Sequence, residues 1–275
     1  MFKASFRKAA VAAALIGGMG AAVASPTLGN TQGSFANFGG FDWASNGTAV
    51  VDAFNPFAAS NTFNLRYWAR ATSIVDVNGV GINGANLGLL LAPASGGYEY
   101  TIEVLLNETS TCTVFSGTLC TTATFNVNFG SFNIWYDTSK NSNQVTGAGI
   151  TDGALLVGGS IFAQSGGGFN VLTGGNATLQ GVVTFTNNTF INPSLTGTTA
   201  TSTLQIGANQ TGWQAPTSQP GAAGGTQAIP AGALVFQADA NQDFFTRAVP
   251  EPGTLALVGL ALTGLGFGAS RRRKA

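Results

Sequence analysis

The chain has 275 residues, with 11 Lys+Arg, 11 Asp+Glu and no His; 44% are hydrophobic and only 8% charged. Without an imidazole there is no Ser-His-Asp triad, no Cys-His pair and no His-based zinc or iron centre. So low a charge density also excludes a highly charged disordered chain and a basic nucleic-acid binder. The balanced formal charge hides a segregation: seven of the 11 bases lie within residues 1–8 and 271–274. Residues 25–250 hold four bases against ten acids, a net −6, the wrong sign for polyphosphates or an anionic membrane.

The N-terminus reads as a secretory signal over residues 1–24. MFKASFRK is basic, AAVAAALIGGMGAA is apolar, and Ala22-Val23-Ala24 satisfies the small-x-small rule, so cleavage is expected between Ala24 and Ser25. The alternative is an anchor helix. Against it, Gly17, Gly18 and Gly20 interrupt a run already short for a membrane span. The protein is therefore expected to leave the cytoplasm.

Residues 25–248 form the expected exported domain. Tyr98, Tyr100, Ile102, Val104 and Leu106 alternate with Glu99, Thr101, Glu103 and Leu105. Phe125, Val127 and Phe129 alternate with Asn126 and Asn128, and Phe132, Ile134 and Tyr136 continue the scheme. Further strands are expected at 154–163, 177–186, 202–206 and 233–237, and no stretch holds a 3.6-residue apolar period. The reading is an all-β antiparallel domain of sandwich type. An outer-membrane barrel is the competitor, disfavoured by irregular strand spacing and the absence of a closing strand at the C-terminus. Residues 207–232, rich in Gly, Pro, Gln and Ala, read as a long loop or flexible connection with Trp213 as a docking point.

Cys112 and Cys120 are the only cysteines. A three-residue turn Phe115-Ser116-Gly117, with Gly117 left-handed, places them opposite each other across a hairpin. In an exported protein that pair is expected to be a disulfide; a redox or metal pair is disfavoured by the spacing and the missing His. Asp239, Asn241 and Asp243 alternate like the first half of a calcium loop, but Phe244 stands where Gly is wanted and no distal Glu follows, so a polar turn is the simpler reading. No cofactor is expected. Trp43, Trp68, Trp135 and Trp213 are the candidate stacking faces for sugar rings, with core packing as the alternative for each. Tyr67-Trp68 and Trp135-Tyr136 should each place one ring inward and one outward. Glu99 and Glu103 lie roughly 13 Å apart along a strand, too far for a glycosidase pair. With Glu108 they read as a solvent face.

Residues 249–275 close the chain. Pro250, Glu251 and Pro252 precede a 17-residue apolar run, Thr254–Ser270, followed by Arg271, Arg272, Arg273 and Lys274. As a helix the run is about 25 Å long, near the short limit for a membrane span, and the bases should hold its end in the cytoplasm. A permanent tail anchor is one reading. The Pro-Glu-Pro triplet, short apolar helix and terminal Arg cluster together resemble a PEP-CTERM sorting signal. That resemblance implies processing by an exosortase-type membrane transpeptidase and delivery to the surface or extracellular matrix of a Gram-negative, exopolysaccharide-making bacterium.

A second resemblance spans residues 41–253. Phe41-Asp42-Trp43, Thr62-Phe63-Asn64-Leu65, Tyr98-Glu99-Tyr100-Thr101-Ile102, Ile134-Trp135-Tyr136-Asp137-Thr138-Ser139-Lys140-Asn141 and Phe236-Gln237-Ala238-Asp239-Ala240-Asn241 occur in that order. They are similar to the flocculation-associated PEP-CTERM proteins. The resemblance implies a non-enzymatic role in cell aggregation with exopolysaccharide and brings no catalytic residues. Self-association is a further partner expectation. The alternatives from the residues alone are a carbohydrate-binding module, with calcium as an option, and a secreted hydrolase lacking His.

Overall fold

The computed structural model describes residues 25–245 except 32, 83–96, 164 and 208–212. The expected signal peptide up to Ala24, the expected membrane helix and the triplet Pro250-Glu251-Pro252 lie outside the described residues; Ser25 is described and exposed.

Alternation of apolar with Asn, Thr and Ser side chains turns most of the described chain into antiparallel strand. The strands are β1 (Thr27–Asn30), β2 (Gly33–Phe35), β3 (Phe38–Trp43), β4 (Gly47–Asp52), β5 (Ser60–Asp76), β6 (Glu99–Ser116), β7 (Leu119–Asp137) and β8 (Ala154–Ile161). They continue as β9 (Gly166–Asn170), β10 (Gly174–Thr186), β11 (Ile191–Asn192), β12 (Thr199–Ile206), β13 (Gln219–Pro220), β14 (Thr226–Gln227) and β15 (Leu234–Phe245). The expected sandwich-like, all-β architecture is present, and hydrogen bonding closes it at both edges. β3 and β4 lie end to end between β5 and β15. β8 and β9 lie end to end between β7 and β10. With β5–β6, β6–β7, β10–β12 and β12–β15 pairs completing the ring, ten strands occupy eight positions of an up-and-down barrel. Closure leaves this sheet no free edge.

The barrel interior is the core. Ile102, Val104 and Leu106 of β6 face Phe132 and Ile134 of β7, all at most 4% exposed, each worth roughly 1.5–3 kcal/mol of transfer free energy. Outward from the same two strands point Glu103, Asn107, Thr109, Thr124 and Asn126. Apolar inside and polar outside is the reverse of a lipid-facing barrel. β9 was not legible as a strand because it is nearly bare glycine. A Cβ on Gly166 would come within 2.1 Å of the Phe125 carbonyl oxygen, and one on Gly167 within 1.8 Å of that of Asn176.

The two ends differ. At one, β1, β2 and β11 form a separate three-stranded sheet that inserts Leu28, Phe35 and Ile191 into the core. Asn30 Nδ2 donates to the Tyr100 hydroxyl at 3.0 Å, and the Thr31 and Tyr136 hydroxyls are 2.9 Å apart. The other end carries the turns after β4, β6 and β9 and the start of β15.

The Cys112–Cys120 disulfide is formed, and Gly117 is left-handed with φ 62°. The turn is shorter than expected: Ser116 pairs with Leu119, and Cys112 and Cys120 are opposite Ala123 and Phe115 rather than each other. Register shifts at Val114 carry the difference.

Candidate functional site

Two segments pack on the outside of the barrel and define what remains open there. Loop 138–153 covers the outward side of β5 and β6. Trp68 Nε1 donates to the Gln144 carbonyl at 3.1 Å and Thr101 Oγ1 to that of Ile150 at 2.6 Å. Glu99 accepts from the Asn141 and Ser142 amides and the Ser142 hydroxyl. Burial raises its pKa, and those hydrogen bonds pull against the shift. Residues 213–233 meet this loop: Thr151 Oγ1 donates to the Gly221 carbonyl and Ser218 Oγ to that of Thr146. This stretch, read from sequence as a long loop or flexible connection with Trp213 as a docking point, is a loop packed on the barrel from residue 213 on, with Trp213 Nε1 3.4 Å from Thr48 Oγ1. Val50, Trp68 and Ile150 form a second small core beneath it, flanked by Ile229, Ala233 and Val235.

Beyond the cover runs a groove of about 480 Å³. Two adjacent rows of cross-strand neighbours make its floor. One is Asp52–Asn64–Asn107–Phe129 and the other Val50–Arg66–Leu105–Ser131, each crossing β4, β5, β6 and β7. Gln219 and Pro230 form part of the wall. A bulge between Asn107 and Glu108 on the β6 side leaves Asn128 of β7 unpaired and turns Phe129 outward, 68% exposed. The alternation expected to bury Phe129 is thus broken one residue before it. Asn107 Nδ2 donates to Asn64 Oδ1 and Asn128 Nδ2 to Asn107 Oδ1, both at 2.9 Å. Arg66 Nε lies 3.3 Å from Glu103 Oε1, and its Nη1 donates to the Pro220 carbonyl. Burial raises the Glu103 pKa and Arg66 opposes it. The result is an exposed aromatic ring beside an ordered amide ladder and a tethered guanidinium.

The sequence candidates distribute differently. Trp43 and Trp68 are 1% and 0% exposed, so neither is a stacking face. Trp43 faces the barrel core. Trp68 points outward as parity requires, but the loops bury it, so Tyr67 and Trp68 are both inside the protein. Trp135 and Trp213 are half-buried. Asp239, Asn241 and Asp243 sit mid-strand in β15, not in a turn, with Ala240 and Gln242 buried between them. Alternate strand residues are roughly 6.5–7 Å apart and cannot wrap a cation as a loop does. Among the described residues no three His, Cys, Asp or Glu side chains cluster as metal ligands. Asp42, one strand away, has its pKa raised by burial and by Asp239, against a Thr72 hydrogen bond. Glu99 and Glu108 are not a solvent face: they are 0% and 1% exposed.

β15 leaves the barrel at Phe245, at the plugged end, and the next residues decide the sorting of the chain. It carries a PEP-CTERM protein-sorting motif, matched at residues 248–274. Pro250, Glu251 and Pro252 fall within the match. The motif makes this an exported, exosortase-processed protein sorted to the cell envelope. No curated protein and no solved structure gives a significant match.

Proposed function

We propose that this protein is a non-enzymatic component of the cell surface or extracellular matrix. In this reading it grips exopolysaccharide in the outer groove and thereby promotes cell aggregation. The observation that carries the reading is the Asp52–Asn64–Asn107–Phe129 row, with Arg66 beside it. Sugar rings have apolar CH faces that stack on an exposed aromatic ring, and hydroxyls that bond to amides and a guanidinium. A mainly apolar groove with one exposed aromatic platform and a row of amides suits a sugar polymer held by many weak contacts. The net −6 of residues 25–250 is compatible with close packing of copies at ordinary salt, where the screening length is about 8–10 Å. The tail crosses the inner membrane with its basic end in the cytoplasm until the transpeptidase acts.

The test uses the exported protein and the polymer of the producing strain. Phe129→Ala and Asn107→Ala should each lower co-sedimentation with the polysaccharide at least fivefold while leaving thermal unfolding unchanged. A strain lacking the gene, or lacking residues 250–275, should make the polymer and stay dispersed. Normal flocculation of the deletion strain would remove the protein from this role.

A further inference from the structure

The unplugged end of the barrel holds a second feature that the outer groove does not use. A cavity of about 70 Å³ opens there, lined by apolar side chains that include Leu65, Ala123, Phe125, Ile206 and Phe236. Glu108 also lines it. Register places Glu108 on the inner row of β6, between Phe63 of β5 and Val127 of β7. Its side chain is 1% exposed, and neither carboxyl oxygen has a hydrogen-bond partner. Ser110, the other polar residue of the wall, donates its hydroxyl to Asn61 instead. None of the described lining residues is basic.

A buried carboxyl without a partner carries an uncompensated desolvation penalty. Apolar side chains fill neighbouring positions of the inner rows, and a Leu at 108 would cost the barrel nothing of the kind. The cavity exceeds what one water needs, and it does not end at a polar mouth. The turns around it expose Phe57 (65%), Phe115 (43%), Leu119 (41%), Leu172 (89%) and Leu234 (42%). Exposed apolar residues gathered at one end mark a contact surface for apolar matter. An apolar hole with one fixed polar group inside it is the usual layout of a small-molecule site, and eight strands enclose room for one small ligand.

We propose that this end of the barrel binds a small amphiphile, an alkyl or aryl alcohol or amine, whose polar group bonds to the Glu108 carboxyl while its apolar part fills the cavity and lies against the rim. The shared chemistry is an apolar body with one polar head group able to donate a hydrogen bond. An alcohol satisfies Glu108 as donor or acceptor, and an ammonium pairs with it as a carboxylate.

Titration of the ¹⁵N-labelled exported protein with 1-pentanol, pentylamine and 1-chloropentane, followed by amide shifts, tests the proposal. Pentanol or pentylamine should give saturable shifts at Leu65, Phe125 and Ile206, with a dissociation constant at least tenfold below that of 1-chloropentane. Which of the two binds more tightly tells the alcohol from the amine. Glu108→Leu should abolish the preference over 1-chloropentane. Ala123→Leu fills the space from the neighbouring strand β7 and should abolish binding of both polar probes, which keeps the test available if Glu108→Leu does not fold. The proposal is overturned if none of the three probes gives saturable shifts at the cavity. It is also overturned if the preference survives in folded Glu108→Leu, or if Ala123→Leu binds as the parent does.

Discussion

The two ends of the barrel are built from the same strands and treated in opposite ways. At one, the hairpin β1–β2 and the short β11 drive Leu28, Phe35 and Ile191 among the tyrosines, and Asn30 and Thr31 meet the Tyr100 and Tyr136 hydroxyls. At the other, nothing comparable is inserted among the described residues, Glu108 has no partner, and the turns expose large apolar side chains. Closing a sheet into a barrel satisfies its edges but not its ends. The chain uses Thr27–Phe35 and Ile191–Asn192 to finish one end, and no described segment is inserted at the other.

The comparison can be broken first by equal truncations. Leu28→Ala, at 0% exposure in the plug, should cost about 4 kcal/mol by transfer and cavity terms. Leu234→Ala, 42% exposed at the open rim, should cost less than about 1 kcal/mol. Urea denaturation of the two variants checks this, and equal losses would mean that the ends are packed alike.

The next test uses pH. Burial pushes the Glu108 carboxyl up from its ordinary 4.5 to about 7. Between those values the folded protein binds more protons than the unfolded chain. The contribution of Glu108 is therefore full below about pH 4.5 and is lost as pH rises through about 7, a change of about 3 kcal/mol. Stability against pH for the parent minus that for Glu108→Gln should show this fall. A flat difference would show that Glu108 ionises as if in water. At the plugged end burial pushes the Tyr98 and Tyr100 hydroxyls up, further above that range, so they contribute nothing to this fall.

Smaller effects sharpen the picture of the open end. Thiol labelling of the native protein should find no reactive cysteine. Replacing Cys112 and Cys120 by Ser should cost roughly 2.5 kcal/mol by the chain-entropy estimate for so short a loop, read as a lower urea midpoint. Smallest of all, Phe129→Ala should change stability by less than about 0.5 kcal/mol, since its ring is 68% exposed. Phe125→Ala, four residues earlier and 8% exposed, should cost about 3 kcal/mol. Comparable losses would place Phe129 in the core and remove the groove's platform.

Local chemistry was enough for much of this protein. Alternation at Tyr100, Ile102, Val104 and Leu106 is a property of the strand itself and marked β6 before any partner was known. Val-Pro-Glu-Pro-Gly, the apolar run and the Arg cluster are contiguous in sequence, so the sorting signal was legible. Cys112 and Cys120 are eight residues apart on one hairpin, close in any register. What depended on distant segments was not legible. Closure of the ring is a pairing between β12 and β15, whose facing residues Thr199 and Phe245 are far apart in sequence. Trp68 has the parity of a surface residue and is buried because loops 138–153 and 213–233 fold back over it. Phe129 has the parity of a core residue and is exposed because one extra residue, Asn128, is accommodated against β6. Glu108 looks like a solvent-facing charge in a polar stretch, yet the inner face of a closed barrel has no solvent to offer it. Period-2 patterning states which side chains share a face; which face is inside, where the count slips and what lies on top are decided by strands and loops that meet only in the folded chain.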